Sequence, residues 1–245
     1  MTDPQFASWS NNPSGTYLRH GEIPALQPLV WQLTDPPPQM KSEAPGLMLL
    51  QIDCRAHLPP EVEQELLSTL CASEQYRHLA YRRPDDRQRF WRSRAGLRLL
   101  LADQLNVRAA AVDIEIGAHG KPFCRGGPQF NLSHSGDLIL LALHPSSQVG
   151  VDVEQRRPGA ELAQIAKRVF SREQLDRFSQ LPTSALQERL LTQWCALEAE
   201  LKAVGTGFSG LDHWRKTVEL GTGLQMRTWK LLLPKDYAGA LALLL

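Results

Sequence analysis

Little in this chain singles out a compartment, a metal or a polymer partner. Only four cysteines are present, Cys54, Cys71, Cys124 and Cys195, with no CxxC spacing and no paired histidine motif. Neither a zinc site nor a disulfide scaffold is suggested, and reduced thiols in a cytosolic protein are the expectation. The net charge is +1, so no global imbalance points to nucleic acid or to a membrane surface. No uninterrupted apolar run approaches membrane-spanning length, and the N-terminus lacks a signal-peptide pattern. The chain is therefore expected to be cytoplasmic, with neither a membrane nor a nucleic-acid partner. Also missing is a G-x-S-x-G elbow around Ser133 or Ser135. Adjacent Ser and His side chains on a strand diverge, so FNLSHS (130–135) makes a weak hydrolase site.

The chain does have the material for a substantial core. Its 245 residues, 42% hydrophobic and 22% charged, allow one large domain or two smaller ones. Residues 1–45 are rich in Pro, Ser, Asn and Gln and read as an extended arm or poorly ordered leader, on which Trp31 and Leu33 are the residues able to dock. The body opens with a buried strand at Leu47–Asp53, and Pro59–Pro60 then start a helix running to about Leu70. A longer helix is expected over Asp85–Leu105, with Phe90, Leu97 and Leu101 as its apolar stripe. Strands follow at Val112–Ile116, Gln129–Leu132 and Leu138–Leu143. After a loop at His144–Gln148 comes a second round. It has a strand at 149–154, helices at about 160–168, 171–180 and 184–204, and strands near 217–220, 224–232 and 240–244. The repeated order predicts an α+β fold of two similar α/β halves in pseudo-twofold arrangement, with the active site in the cleft between them. The expected division is an extension (1–45), an N-terminal half (46–146) and a C-terminal half (147–245).

Three segments carry chemistry. In VGVDVE (149–154), strand alternation projects Asp152 and Glu154 from one face. Two like charges there need a cation, a basic partner such as Arg156 or Arg157, or water. In WCALEAELK (194–202), Trp194, Glu198 and Lys202 recur at i, i+4 along one side of a helix that Gly205 ends. Brought to the strand, they would gather three carboxylates and one ammonium, a set suited to a hard divalent cation holding a phosphate-bearing ligand. Taken alone, Glu198 and Lys202 are an ordinary helix salt bridge and Trp194 an ordinary core residue. The third segment, Tyr76–Arg98, carries eight arginines against Asp85 and Asp86 alone, a concentrated basic site or a solvated helix face. Ser133 and His134 offer a hydroxyl and an imidazole to a phosphate, or else cap a turn. Lys121 and Pro122 sit in a loop that lines a nucleotide or merely turns the chain.

In order, HGKPF (119–123), FNLSHS (130–135), VGVDVE (149–154) and the W-x-x-x-E-x-x-x-K of 194–202 resemble the 4′-phosphopantetheinyl transferases of the long, surfactin-synthetase type. FSREQ (170–174) fits the same pattern, and the resemblance covers roughly residues 47–245. It implies Mg²⁺-dependent transfer of the 4′-phosphopantetheine arm of coenzyme A to a serine of an apo acyl or peptidyl carrier protein, with release of 3′,5′-ADP. Asp152, Glu154 and Glu198 would hold Mg²⁺, or Mn²⁺ in its place. Glu198 would take the serine proton, and Lys202 would contact the transferring phosphate. Lys121 and Pro122 would border the adenine nucleotide, Ser133 and His134 would reach its 3′-phosphate, and Arg77 and Arg89 would add phosphate contacts. The carrier would dock around Lys167–Phe170, and a monomer is the expected state.

One position departs from the family pattern. Leu197 stands where the family has a lysine, and it falls on an apolar stripe with Leu186, Leu190, Leu201 and Val204. Two alternatives stand beside the transferase, the first suggested by Leu197 and the second using the same acids. One is a non-catalytic relative that binds coenzyme A or the carrier. The other is a metal-dependent phosphohydrolase that acts on coenzyme A with water as nucleophile.

Overall fold

The computed structural model describes residues 23–38, 46–156, 182–207 and 225–245, together with residues 170, 172, 175, 176, 210 and 211. The helix expected at 160–168, most of that at 171–180 and the strand expected near 217–220 lie outside these residues. So do residues 167–169 of the expected carrier contact. In chain order the strands are β1 (Ala25–Leu26), β2 (Leu29–Val30), β3 (Met48–Asp53), β4 (Glu115–Ile116), β5 (Pro122–Phe123), β6 (Gln129–Ser135), β7 (Leu138–His144), β8 (Val149–Gln155), β9 (Met226–Leu231) and β10 (Tyr237–Leu244). The helices are α1 (Pro60–Ser68), α2 (Ala72–Ala80), α3 (Pro84–Leu105) and α4 (Thr183–Val204). The fold is mixed α+β. The chain divides into two compact units, residues 28–146 and residues 1–27 with 147–245.

In the 28–146 unit the sheet order is β2-β3-β7-β6, with β2 parallel to β3 and the rest antiparallel. The LILLALH run of β7 is buried along its whole length, as a central strand covered on both faces must be. Helix α3 lies against β6 and β7, with Phe90, Leu97 and Leu101 buried in the core as its apolar spacing requires. Gly96 allows the close approach: a methyl group there would press on Ile52, Leu141 and the Trp31 ring. Trp31 itself is 3% exposed and Leu33 6%. The Trp31 amide donates to the Gln51 carbonyl at 2.9 Å, so part of the Pro-rich leader belongs to this core. Helix α2 is the element that apolar spacing did not predict. Its nine residues include none that is buried, and its first turn is fixed by the Glu74 carboxylate accepting from the Cys71 amide.

In the second unit the order is β1-β9-β10-β8, with β1 parallel to β9 and the others antiparallel. Helix α4 crosses β8 and β10 through small residues: Cys195, Ala196, Ala199 and Ala203 on the helix meet Ala238, Ala240 and Ala242 on β10. At Gly150 on β8 the approach is closest. A Cβ there would fall inside van der Waals contact of the Ala199 carbonyl and the Ala203 amide, atoms of the helix backbone that no rotamer change can move. Gly205 ends α4 in the left-handed region (φ 82°), its amide donating to the Leu201 carbonyl at 2.9 Å. Leu197 and Leu201 are buried on the other flank of α4, packed with Phe170, Trp194, Val204, Leu211 and Met226. Leu197 is thus a core residue, and Phe170 lies against it. Among the described residues no helix is long and apolar enough to cross a membrane.

Candidate active site

Gly150, Asp152 and Glu154 alternate along β8 and so share the face on which α4 lies. Asp152 is 3% exposed, while Glu154 at the strand end is half-buried. The small residues between helix and sheet set the depth at which α4 sits, and Lys202 then reaches the strand. Its Nζ lies 2.6 Å from Asp152 Oδ1. Besides the charge of Glu198, which the i, i+4 spacing suggested, the fold gives the lysine a carboxylate 50 residues away in sequence. Burial alone would lower the Lys202 ammonium. The pull of Asp152, helped by Glu198 and Cys195, overrides that and holds it raised.

The neighbouring carboxylates act on one another. Glu198 is pushed up to about 7, first by burial and then by the charge of Asp152, with Glu154 adding to the effect and Lys202 opposing it. Cys195, fully buried, lies with its Sγ 3.5 Å from the Ala238 carbonyl. Burial and the charges of Asp152 and Glu154 hold its thiol well above the ordinary range. Sequence reading treated Cys195 only as a reduced thiol and passed over Gly150. The signal for both was the match of small residues on α4 with a glycine on an otherwise β-branched strand. The Arg156 guanidinium, expected as a partner for these acids, pairs with Glu188, which also accepts from Lys230 Nζ at 3.2 Å.

Among the described residues no group of three His, Cys, Asp or Glu side chains stands close enough together to hold a metal ion. The donor chemistry nevertheless fits a hard cation, because Asp152, Glu154 and Glu198 are all carboxylates within electrostatic reach of one another. One of them, Asp152, is already paired with the ammonium of Lys202.

The remaining predicted residues lie in the 28–146 unit. Arg89 donates to the Gly136 carbonyl at 2.8 Å, in the turn that follows His134 and Ser135, and pairs with Asp86. Ser133 is buried within β6 and His134 exposed. Lys121 and Pro122 enter β5, which lies beside β6, and burial pushes the Lys121 ammonium down to about 8. Arg77 stacks its guanidinium 5.0 Å from the Phe90 ring centroid. The segment 76–98 is less of an open basic site than its charge suggested. Arg98 is buried on Glu74 and on the carbonyls of Ala109 and Val112, and Arg94 approaches Glu74 at 3.9 Å. Arg92 donates to the Ala56 carbonyl and Arg87 to that of Tyr81, both at 2.8 Å. Arg82 and Arg83 stand exposed.

Comparison with known proteins places these observations. The family model of the 4′-phosphopantetheinyl transferase superfamily matches residues 148–239, the stretch that holds β8, α4, β9 and the start of β10. The chain is 35% identical over 160 residues to the 4′-phosphopantetheinyl transferase HetI of Nostoc sp., covering 63% of this chain and 68% of that protein. It is 35% identical over 145 residues to a putative 4′-phosphopantetheinyl transferase of Synechocystis sp., covering 58% of this chain and 59% of the relative. A phosphopantetheinyl transferase of Thraustochytrium sp. is 30% identical over 188 residues, covering 70% of this chain and 62% of that protein. With a relative matched at 35% identity over more than two thirds of its length, the chain belongs to the 4′-phosphopantetheinyl transferase superfamily of enzymes.

Proposed function

We propose that this chain transfers the 4′-phosphopantetheine arm of coenzyme A to a serine hydroxyl of an apo carrier protein, acting as a monomer and releasing 3′,5′-ADP. The observation that carries the reading is the Lys202–Asp152 contact at 2.6 Å beside Glu198, inside the stretch that matches the family model. In the reaction the serine oxygen bonds to the β-phosphorus of coenzyme A. The bond from that phosphorus to the bridging oxygen breaks, and the electron pair leaves with 3′,5′-ADP. Glu198 takes the serine proton, and the Lys202 ammonium stabilises the phosphoryl oxygens. Asp152, Glu154 and Glu198 would hold Mg²⁺ or Mn²⁺, which when bound offsets negative charge on the pyrophosphate. Lys121, Pro122, Ser133 and His134, with Arg77 and Arg89, would hold the nucleotide and its phosphates. Chemistry of this kind rests on positioning and electrostatics, which a site of fixed carboxylates and ammonium groups supplies.

The test is intact-mass spectrometry of an apo acyl and an apo peptidyl carrier protein, each incubated with the chain, coenzyme A and Mg²⁺. A gain of one phosphopantetheinyl group, abolished by EDTA, is expected. Asp152→Ala should lose that turnover. Release of 3′,5′-ADP without any carrier would overturn the reading in favour of a phosphohydrolase. Coenzyme A binding with no mass gain would point to a non-catalytic relative.

A further inference from the structure

Asp152 presents a problem of charge. Its side chain is 5% exposed, and a carboxylate so buried must be compensated by a cation in every state of the protein. The structure supplies that cation from within the chain. Lys202 is 29% exposed at its side chain and sits on the long, flexible stem that lets an ammonium move between anions. We infer that Lys202 is a resident counter-cation of Asp152, which a divalent ion must displace from that carboxylate in order to bind. This rests on the reading of Asp152 as a metal ligand.

Two consequences follow. An ammonium and a divalent ion on one carboxylate repel each other, so the lysine weakens metal binding while it remains there. A phosphate-bearing ligand offers the ammonium a second anion, and its arrival frees Asp152. Metal and coenzyme A then favour each other's binding through a residue that contacts each in turn, and by linkage the effect is reciprocal. Lys202 is a positioning residue in this step, as distinct from its contact with the transferring phosphate.

Mn²⁺ binding, measured by calorimetry on the full chain without coenzyme A or carrier, separates the outcomes. Lys202→Gln should bind Mn²⁺ at least about fivefold more tightly than the unaltered protein, the lower end of ordinary coupling between sites. Lys202→Arg, which keeps the charge, should show no gain. Equal or weaker binding by Lys202→Gln would overturn the exchange. Mn²⁺ binding by the unaltered protein that survives Asp152→Asn intact would instead remove Asp152 from the metal site, and the exchange with it. Should Lys202→Gln fail to fold, the unaltered protein still decides the matter. The Lys202 Nζ resonance, assigned by its loss in Lys202→Arg, should move as Mg²⁺ is added. A resonance that stays fixed under saturating Mg²⁺ overturns the inference. Carrier modification in the mass experiment is a separate readout, so the proposed transferase activity and the lysine exchange can fail independently.

Discussion

At Lys121 a residue expected to border the adenine nucleotide costs the folded protein something. Burial holds its ammonium at about 8, against an ordinary value of 10.5. Between those values the folded chain binds fewer protons than the unfolded one, so the penalty is absent above pH 10.5, grows as pH falls and is complete below 8. Lys121→Met should therefore raise the urea midpoint at pH 7, with the advantage shrinking by pH 9.5. An equal gain at both pH values would exclude the burial penalty. The same change should weaken coenzyme A binding. Leu197 poses the opposite question, because restoring the family's lysine there is the obvious repair. The side chain is 5% exposed against Leu201 and Phe170, so Leu197→Lys should destabilise the protein by at least about 2 kcal/mol in urea unfolding. It should not increase transfer. At this scale the sequence was informative wherever local periodicity fixed direction. Strand alternation put Asp152 and Glu154 on one face, and the wheel put Leu197 inside. It was silent on which anion each cation meets. The carboxylates that meet Lys202 and Arg98 come from 50 and 24 residues away, and no local rule reaches them.

Two elements set the site, and the contact between them is backbone against backbone. Strand β8 and helix α4 meet at Gly150, where any side chain would displace the helix that carries Glu198 and Lys202. Gly150→Ala should cost about 1–3 kcal/mol as overpacking. Because even small misplacement of reacting groups is costly, it should also reduce transfer by about a hundredfold. Urea unfolding with carrier-modification kinetics checks both, and near-normal kinetics in a destabilised variant would show that the helix recovers its depth. Both long helices and the central strands were legible because their apolar patterns are long. Helix α2 was not, because ASEQYRHLA buries no residue and draws its definition from Glu74, which joins its first turn to Arg98 of α3. The strand expected over Val112–Ile116 shrinks to two residues because 109–111 form a 3-10 turn whose Ala109 carbonyl, with that of Val112, is held by Arg98.

In the leader the sequence singled out the two residues that dock, Trp31 and Leu33, but not the short strands beside them. The leader's Pro-rich composition reads as arm or disorder, yet Trp31 lies in the core beside Gly96 and residues 25–26 and 29–30 pair with strands. Composition averages over a segment, whereas docking depends on the one or two apolar residues within it. Trp31→Ala should accordingly cost about 3–5 kcal/mol in urea unfolding, the penalty of a buried aromatic and not of a surface tail. β1 belongs to one sheet and β2 to the other, and each lies along part of an edge: β1 pairs with Lys230 and Leu231 of β9, and β2 with Leu50 and Gln51 of β3. A protease cutting away this short stretch would uncover two unpaired strand edges at once, including the backbone groups of Gln51, Lys230 and Leu232 that now bond to the leader. Open edges invite pairing between molecules. A chain trimmed to start at Leu47 should therefore precipitate more readily than the full chain, even with its carboxylates and lysines untouched.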